Sequence, residues 1–203
     1  MKQKSRRTAW RVPRGRLGIA LAVLFLGLCA GSGLAQTRLK IPPQVRISDP
    51  PCFDNANRYV DCQNGTVTDT VTGLVWLKNG DCLHGPKDYK TASDFAARLS
   101  HGRCGLSDKS SPGDWRLPTK EEWAATVRQA VSLVCYIPTL TDRAGTACYA
   151  NDPVFTGVSF SYWTSSAHES QPGDAWAASL IFGVNGFETK EQLNWVWPVR
   201  NAR

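Results

Sequence analysis

Residues 113–123 read "GDWRLPTKEEW". Pro118 biases the residue before it toward extended backbone, so a helix cannot already be running there. Thr119 can accept a hydrogen bond from the third helical amide, and Glu122 can reach back to the Thr119 amide. Thr-Lys-Glu-Glu is therefore a capping box, and a helix starts at residue 120. Trp123, Val127, Ala130, Val131 and Val134 follow at helical spacing as one apolar stripe running down to Cys135. The cluster of acids and aromatics thus has a local structural explanation. Glu122 caps, and Glu121 sits on the solvated side of the first turn, where a carboxylate suits the helix dipole.

Upstream, "TASDFAARLS" (91–100) spaces Ala92, Phe95, Ala96 and Leu99 as a second helix, with Thr91 at its start. Before it, "NGTVTDTVTGLVWLKNG" (64–80) reads as two short strands around a tight turn punctuated by Asp69 and Gly73. Downstream, residues 135–161 are rich in turn formers and read as a long irregular excursion. "YWTSS" (162–166) follows, then a polar loop (167–174) and "AWAASLIFG" (175–183). There Trp176, Ala178, Leu180 and Phe182 alternate with Ala177, Ser179 and Ile181, as in a sheet with one face more buried. Asn185-Gly186 is a hairpin-turn pair. "FETK" and "LNWVWPVR" supply the closing strands, with Pro198 suiting an edge or a bulge. Strands, two helices, a long loop and several antiparallel strands make an α+β domain with the helices segregated in sequence.

The N-terminus has a different character. Seven of the 24 basic residues lie in 1–16 and none of the 17 acids do. An apolar run, "LGIALAVLFLGL" (17–28), and the small residues of "GLA" (33–35) complete an export signal over residues 1–35, cleaved before Gln36. The run is short for a membrane-spanning helix, so no membrane association is expected after cleavage; retention as an anchor is the alternative. Residues 36–51 form a Pro-rich linker, and residues 52–203 the globular domain. Without the signal the chain has as many acids as bases. The formal charge of +7 belongs to the targeting segment and offers nothing to a nucleic acid. A periplasmic or secreted location follows.

Cys29 leaves with the signal, and six cysteines remain. An even number in an exported chain points to disulfides. Six cysteines allow about fifteen pairings; the nearest-neighbour set, Cys52–Cys62, Cys82–Cys104 and Cys135–Cys148, is the expectation, because each bond would close one local loop rich in turn residues. Cys82, His84, His101 and Cys104 also have zinc-like spacing, but export favours the disulfide, and no metal or other cofactor is assigned. "GVSFS" (157–161) departs from a nucleophile elbow because its fifth residue is Ser161. The densest polar loop offers His168, Glu169, Gln171 and Asp174. Three oxygen-bearing side chains are few for calcium, which takes about six to eight oxygens, yet these four residues are the best ligand-binding candidates. Trp123 and Trp176 fall on apolar faces and belong to the core. Trp195 and Trp197 share one side of the last strand, the one pair that could form an exposed platform for a sugar.

Five stretches in order, "NGTVTDTVTGLVW", "DWRLPTKEEW", "YWTSS", "AWAASLIFG" and "WVWPVR", resemble the DUF1566 family. That family is named for the C-terminal domain of the Legionella collagen-like adhesin. The resemblance covers about residues 52–200. It implies a C-type-lectin-like fold, with two helices packed beside antiparallel sheets, a long irregular loop region and termini close together. It also implies non-enzymatic binding at a cell surface or in the periplasm, with a glycan or an envelope protein as partner, and a homo-oligomer is compatible with it. The namesake carries a collagen-like stalk and binds sulfated glycans; this chain has neither such a stalk nor a basic run. "RLPTKEEW" also resembles a run in formylglycine-generating enzymes. Such an enzyme needs reactive thiols near its C-terminus, and the last cysteine here is Cys148. The other alternative is a structural subunit of an envelope assembly.

Overall fold

The computed structural model describes residues 52–202; the expected signal peptide and linker lie outside the described residues. The chain enters through β1 (Tyr59–Asp61), then the hairpin of β2 (Thr66–Asp69) and β3 (Leu74–Leu77). Asp69 closes that hairpin: its Oδ1 accepts from the Val71 amide at 3.0 Å, and Gly73 takes the left-handed φ of +73° that the turn requires. Helices α1 (Tyr89–Arg98) and α2 (Lys120–Ser132) follow, then the irregular region, in which a single 3-10 turn covers Tyr149–Asn151. A second antiparallel sheet holds β4 (Ser161–Ala167), β5 (Asp174–Ser179) and β6 (Val184–Thr189) in that order. The chain then returns to the first sheet as β7 (Val199–Asn201), giving the order β1-β2-β3-β7. Two helices thus pack against two antiparallel sheets in a lectin-like α+β arrangement.

The capping box forms as its residues require. Thr119 Oγ1 accepts from the Glu122 amide at 3.1 Å, and Glu122 Oε2 accepts from the Thr119 amide at 2.8 Å. Glu122 also receives both terminal nitrogens of Arg116, at 2.7 and 2.6 Å. This start aims Trp123 into the core, where it lies 4.9 Å from Trp76 of the first sheet and stacks 5.4 Å from Tyr162 of the second. Trp197 joins them, 5.3 Å from Trp76 and 5.1 Å from Tyr162. One indole on α2 therefore fastens two sheets together. Trp76, Trp123, Tyr162 and Trp197 are almost wholly buried, and truncating such a side chain costs about 3–5 kcal/mol.

The six cysteines form Cys52–Cys62, Cys82–Cys104 and Cys135–Cys148. Elsewhere local expectations give way to tertiary structure. Helix α1 begins two residues before Thr91, and its cap is Asp88, which accepts from the Thr91 amide. Helix α2 ends at Ser132, short of the expected stripe. Val131 and Val134 are exposed, and Val134 turns to a φ of +57°. Asn185-Gly186 lies inside β6, and the hairpin turns at residues 180–183 instead. Gly183 supplies the positive φ there, and its missing side chain leaves room for Val131 and Thr139, which a Cβ would meet at 2.6 and 2.8 Å. Residues 193–198 form bridges rather than a continuous strand, and Trp197 is buried. Trp195 and Trp197 are therefore no exposed platform.

Candidate functional site

Helix α2 packs on one face of the second sheet, the face that carries Tyr162, Ala178 and Asn185. The start of the helix is tied down on both sides. The Lys120 amide, which has no partner within the helix, donates to Ser166 Oγ of β4 at 3.1 Å, and Asn185 Nδ2 of β6 donates to the Lys120 carbonyl at 2.8 Å. Trp176 lies on the same face as Ala178, two positions further along β5. The helix begins too late to cover it.

Trp176 is accordingly half-buried, where its apolar alternation placed it in the core. No sequence signal marks this: the paired residues Ala178 and Asn185 sit under the helix, and the indole lies beyond its first turn. What covers Trp176 is polar. The Lys120 ammonium stands 4.2 Å from the ring centre, and the His168 imidazole lies nearly parallel to the indole at 6.0 Å. Phe187 of β6 meets His168 edge-on at 4.5 Å and remains half exposed. Lys120 Nζ also pairs with the Glu169 carboxylate, and that hydrogen bond holds the Glu169 carboxyl below the usual carboxylate range.

The polar loop thus splits in two. His168 and Glu169 converge with Lys120, Trp176 and Phe187, drawn from helix, loop and two strands. Gln171 and Asp174 act through their backbones: the Asp174 amide donates to the Gln171 carbonyl at 2.9 Å and the His168 amide to the Asp174 carbonyl at 3.2 Å, closing the loop. Lys120 and Phe187 carried no sequence signal, since Lys120 reads only as the first helix position and Phe187 as a strand residue. The surface so assembled offers a cation, an anion, an imidazole and apolar ring area within one patch. Such a patch can hold a ligand by stacking and hydrogen bonds.

The remaining candidates occupy structural positions. Cys82 and Cys104 are bonded to each other, and His101 Nδ1 accepts from the Lys109 amide at 3.2 Å. Among the described residues no group of three or more His, Cys, Asp or Glu is placed to hold a metal. Ser161 Oγ donates to Asn194, and the Ser159 amide donates to the Tyr162 hydroxyl at 2.6 Å. Glu122 is fully occupied by its cap and by Arg116.

Residues 65–200 match the Lcl C-terminal domain, the family formerly called DUF1566. The chain belongs to this family. The match begins just after the Cys52–Cys62 disulfide and runs into β7, so it includes both helices, both hairpins and the patch around Trp176. No curated protein matches the chain in sequence. Membership of the Lcl family makes this a non-catalytic domain of the adhesion and binding class. No helix among the described residues is long and apolar enough to cross a membrane.

Proposed function

We propose that this Lcl-type domain works outside the cytoplasm, at the envelope or beyond it, and binds a glycan through the patch of Lys120, His168, Glu169, Trp176 and Phe187. The observation that supports this reading is the composite origin of the patch. A half-exposed aromatic group with charges of both signs is assembled from α2, the 167–174 loop, β5 and β6. The half-exposed Phe187 ring, edged by hydrogen-bonding side chains, suits a pyranose, whose C–H face stacks while its hydroxyls find donors and acceptors.

The test is binding of the purified protein to a glycan panel containing neutral, carboxylated and sulfated members. Replacing His168, Glu169 and Asp174 together by Ala is expected to abolish binding, and Lys120→Ala to weaken it. Absence of binding to every member sinks the reading, as does binding that survives the triple replacement.

A further inference from the structure

The edge of a sheet is a row of unpaired amides and carbonyls, which folded chains cover or blunt with charge, Pro or a bulge. The two sheets have four outer strands, and three of them are covered. Trp195 lies along β4: its carbonyl accepts from the Trp163 amide at 3.1 Å, and its amide donates to the Ser161 carbonyl at 3.0 Å. Arg116 exchanges backbone bonds of 2.9 and 2.8 Å with Val199 of β7, and the Tyr59 amide of β1 donates to the Arg143 carbonyl at 2.9 Å. Among the described residues β6 is the exception. It runs in unbroken register with β5. It contains no Pro, and no charged residue occurs from 175 to 187.

The alternation of the ladder identifies the open groups. Beyond the end of β6 the Lys190 amide donates to the Gly173 carbonyl opposite it at 2.9 Å, so that pair is hydrogen-bonded. Hydrogen-bonded and non-hydrogen-bonded pairs alternate along an antiparallel ladder. Glu188, Gly186 and Val184 therefore bond to β5, while Thr189, Phe187 and Asn185 turn their amides and carbonyls outward. The Thr189 carbonyl already accepts from the Gln192 amide at 3.0 Å; the backbones of Asn185 and Phe187 have no outward partner among the described residues. Gly186 lies between them. Its φ is outside the left-handed region, and a Cβ built on it meets nothing within 4 Å. Nothing within the chain therefore requires glycine at 186, and the unbroken register leaves no bulge to explain it. A glycine inside a strand otherwise marks a place where another backbone or a ligand comes close.

We infer that β6 pairs antiparallel with β6 of a second copy of this chain, about a dyad at Gly186. The open residues flank position 186 symmetrically, as pairing with an identical strand requires. Asn185 of each copy exchanges bonds with Phe187 of the other, which satisfies every open amide and carbonyl of these residues. Gly186 faces Gly186 at the closest spacing of the ladder, about 4.5 Å between Cα atoms. Glu188 faces Val184, so no like charges are opposed. A sugar offers no such alternating row of donors and acceptors. The dyad stands normal to the sheet, so the α2 faces of both copies, each with its Trp176 patch, look the same way. A contact built on one short strand is smaller than the roughly 800 Å² per partner of a stable interface, so the dimer is weak, with a Kd on the order of 100 μM.

Sedimentation velocity of the purified protein from about 5 to about 500 μM reads this association without any ligand. Gly186→Lys and Gly186→Glu each set like charges face to face at the dyad and are expected to weaken dimerisation about fivefold or more. An equimolar mixture of the two sets opposite charges there and is expected to restore it. A side chain at 186 has open space in the monomer, so the mixture reports pairing rather than folding. The inference is overturned if the protein stays monomeric throughout, if either variant dimerises as the wild type does, or if the mixture associates no better than its components. A dimer that survives both variants but is lost on replacing Val134 and Ile137 by Ser would belong to the exposed apolar end of α2, and also overturns it. None of these readouts uses a glycan, so their failure leaves the glycan reading standing.

Discussion

Glu122 is the residue on which the assignment of "RLPTKEEW" to structure rather than chemistry can be tested. It accepts from the Thr119 amide and holds Arg116 by both terminal nitrogens, with the two side chains 24% and 37% exposed. Glu122→Gln keeps an oxygen for the Thr119 amide but removes the charge. The half-exposed ion pair contributes about 0.2–1 kcal/mol, and an anion in the first helical turn a further 0.3–1 kcal/mol or so. The expected loss is therefore about 0.5–2 kcal/mol. Glu122→Ala also removes the cap, roughly 1 kcal/mol more, for a total of about 1.5–3 kcal/mol. Urea denaturation at pH 7 reads both values. Burial pushes the Glu122 carboxyl up, but the Arg116 and Thr119 hydrogen bonds outweigh it and hold the group below its usual range. Ionised Glu122 therefore stabilises the fold at pH values above its unfolded pKa. That contribution is lost as pH falls through the lower, folded pKa. The gap between wild type and Glu122→Gln should shrink over that window, while the gap between the Gln and Ala variants persists. Wild-type stability for Glu122→Gln at pH 7 would refute the reasoning, and lost ligand binding in the same variant would make Glu122 a functional group.

Removing one partner of the buried Arg58–Asp69 pair strands a charge in the core. Asp69→Ala is expected to cost about 3–5 kcal/mol in equilibrium unfolding, and more than Asp61→Ala, whose partner Lys78 is partly exposed. Gly183→Val places a side chain at a φ of +67° against Val131 and Thr139. It should destabilise by about 1–3 kcal/mol, a drop in melting temperature that Val131→Ala partly relieves. Replacing Cys135 and Cys148 together by Ala opens a loop of 13 residues and is expected to lower stability by roughly 3 kcal/mol. Calorimetry checks this, and an unchanged melting temperature would contradict it.

What the sequence made legible was local. Thr119 and Glu122 sit three residues apart, and nothing distant competes for them, so the capping box could be read directly. The β2–β3 hairpin was legible because Asp69 and Gly73 form their own turn. The failures share one cause, a distant partner. Asn185-Gly186 has the chemistry of a turn, but Asn185 instead reaches across to the Lys120 carbonyl, and Gly183 takes the turn because only a residue without Cβ fits beside Val131 and Thr139. Trp176 has the alternation of a core residue, but its exposure depends on where α2 begins along β5. His168 and Glu169 could be nominated from the polarity of their loop. Lys120 and Phe187 could not, because only the docking of α2 on the second sheet brings them there.

The three disulfides all lie within residues 52–148, and each joins neighbours along the chain. The second sheet, with most of the Trp176 patch, has no covalent tie of its own. It is held at its far end by β7, three residues that hydrogen-bond to β3 and bring the chain back to the stitched half. Mechanically, β7 is a latch. Load on the patch passes to the first sheet through Trp123, Tyr162 and Trp197 and through those few backbone bonds, whereas the cystine-bearing half resists extension. If the latch opens, the unstitched half can be released as one unit while the other stays folded, a division that hydrogen exchange would register as two separate opening energies. For a domain of the adhesion class, that makes the strength of attachment a property of β7 as much as of the residues that touch the ligand.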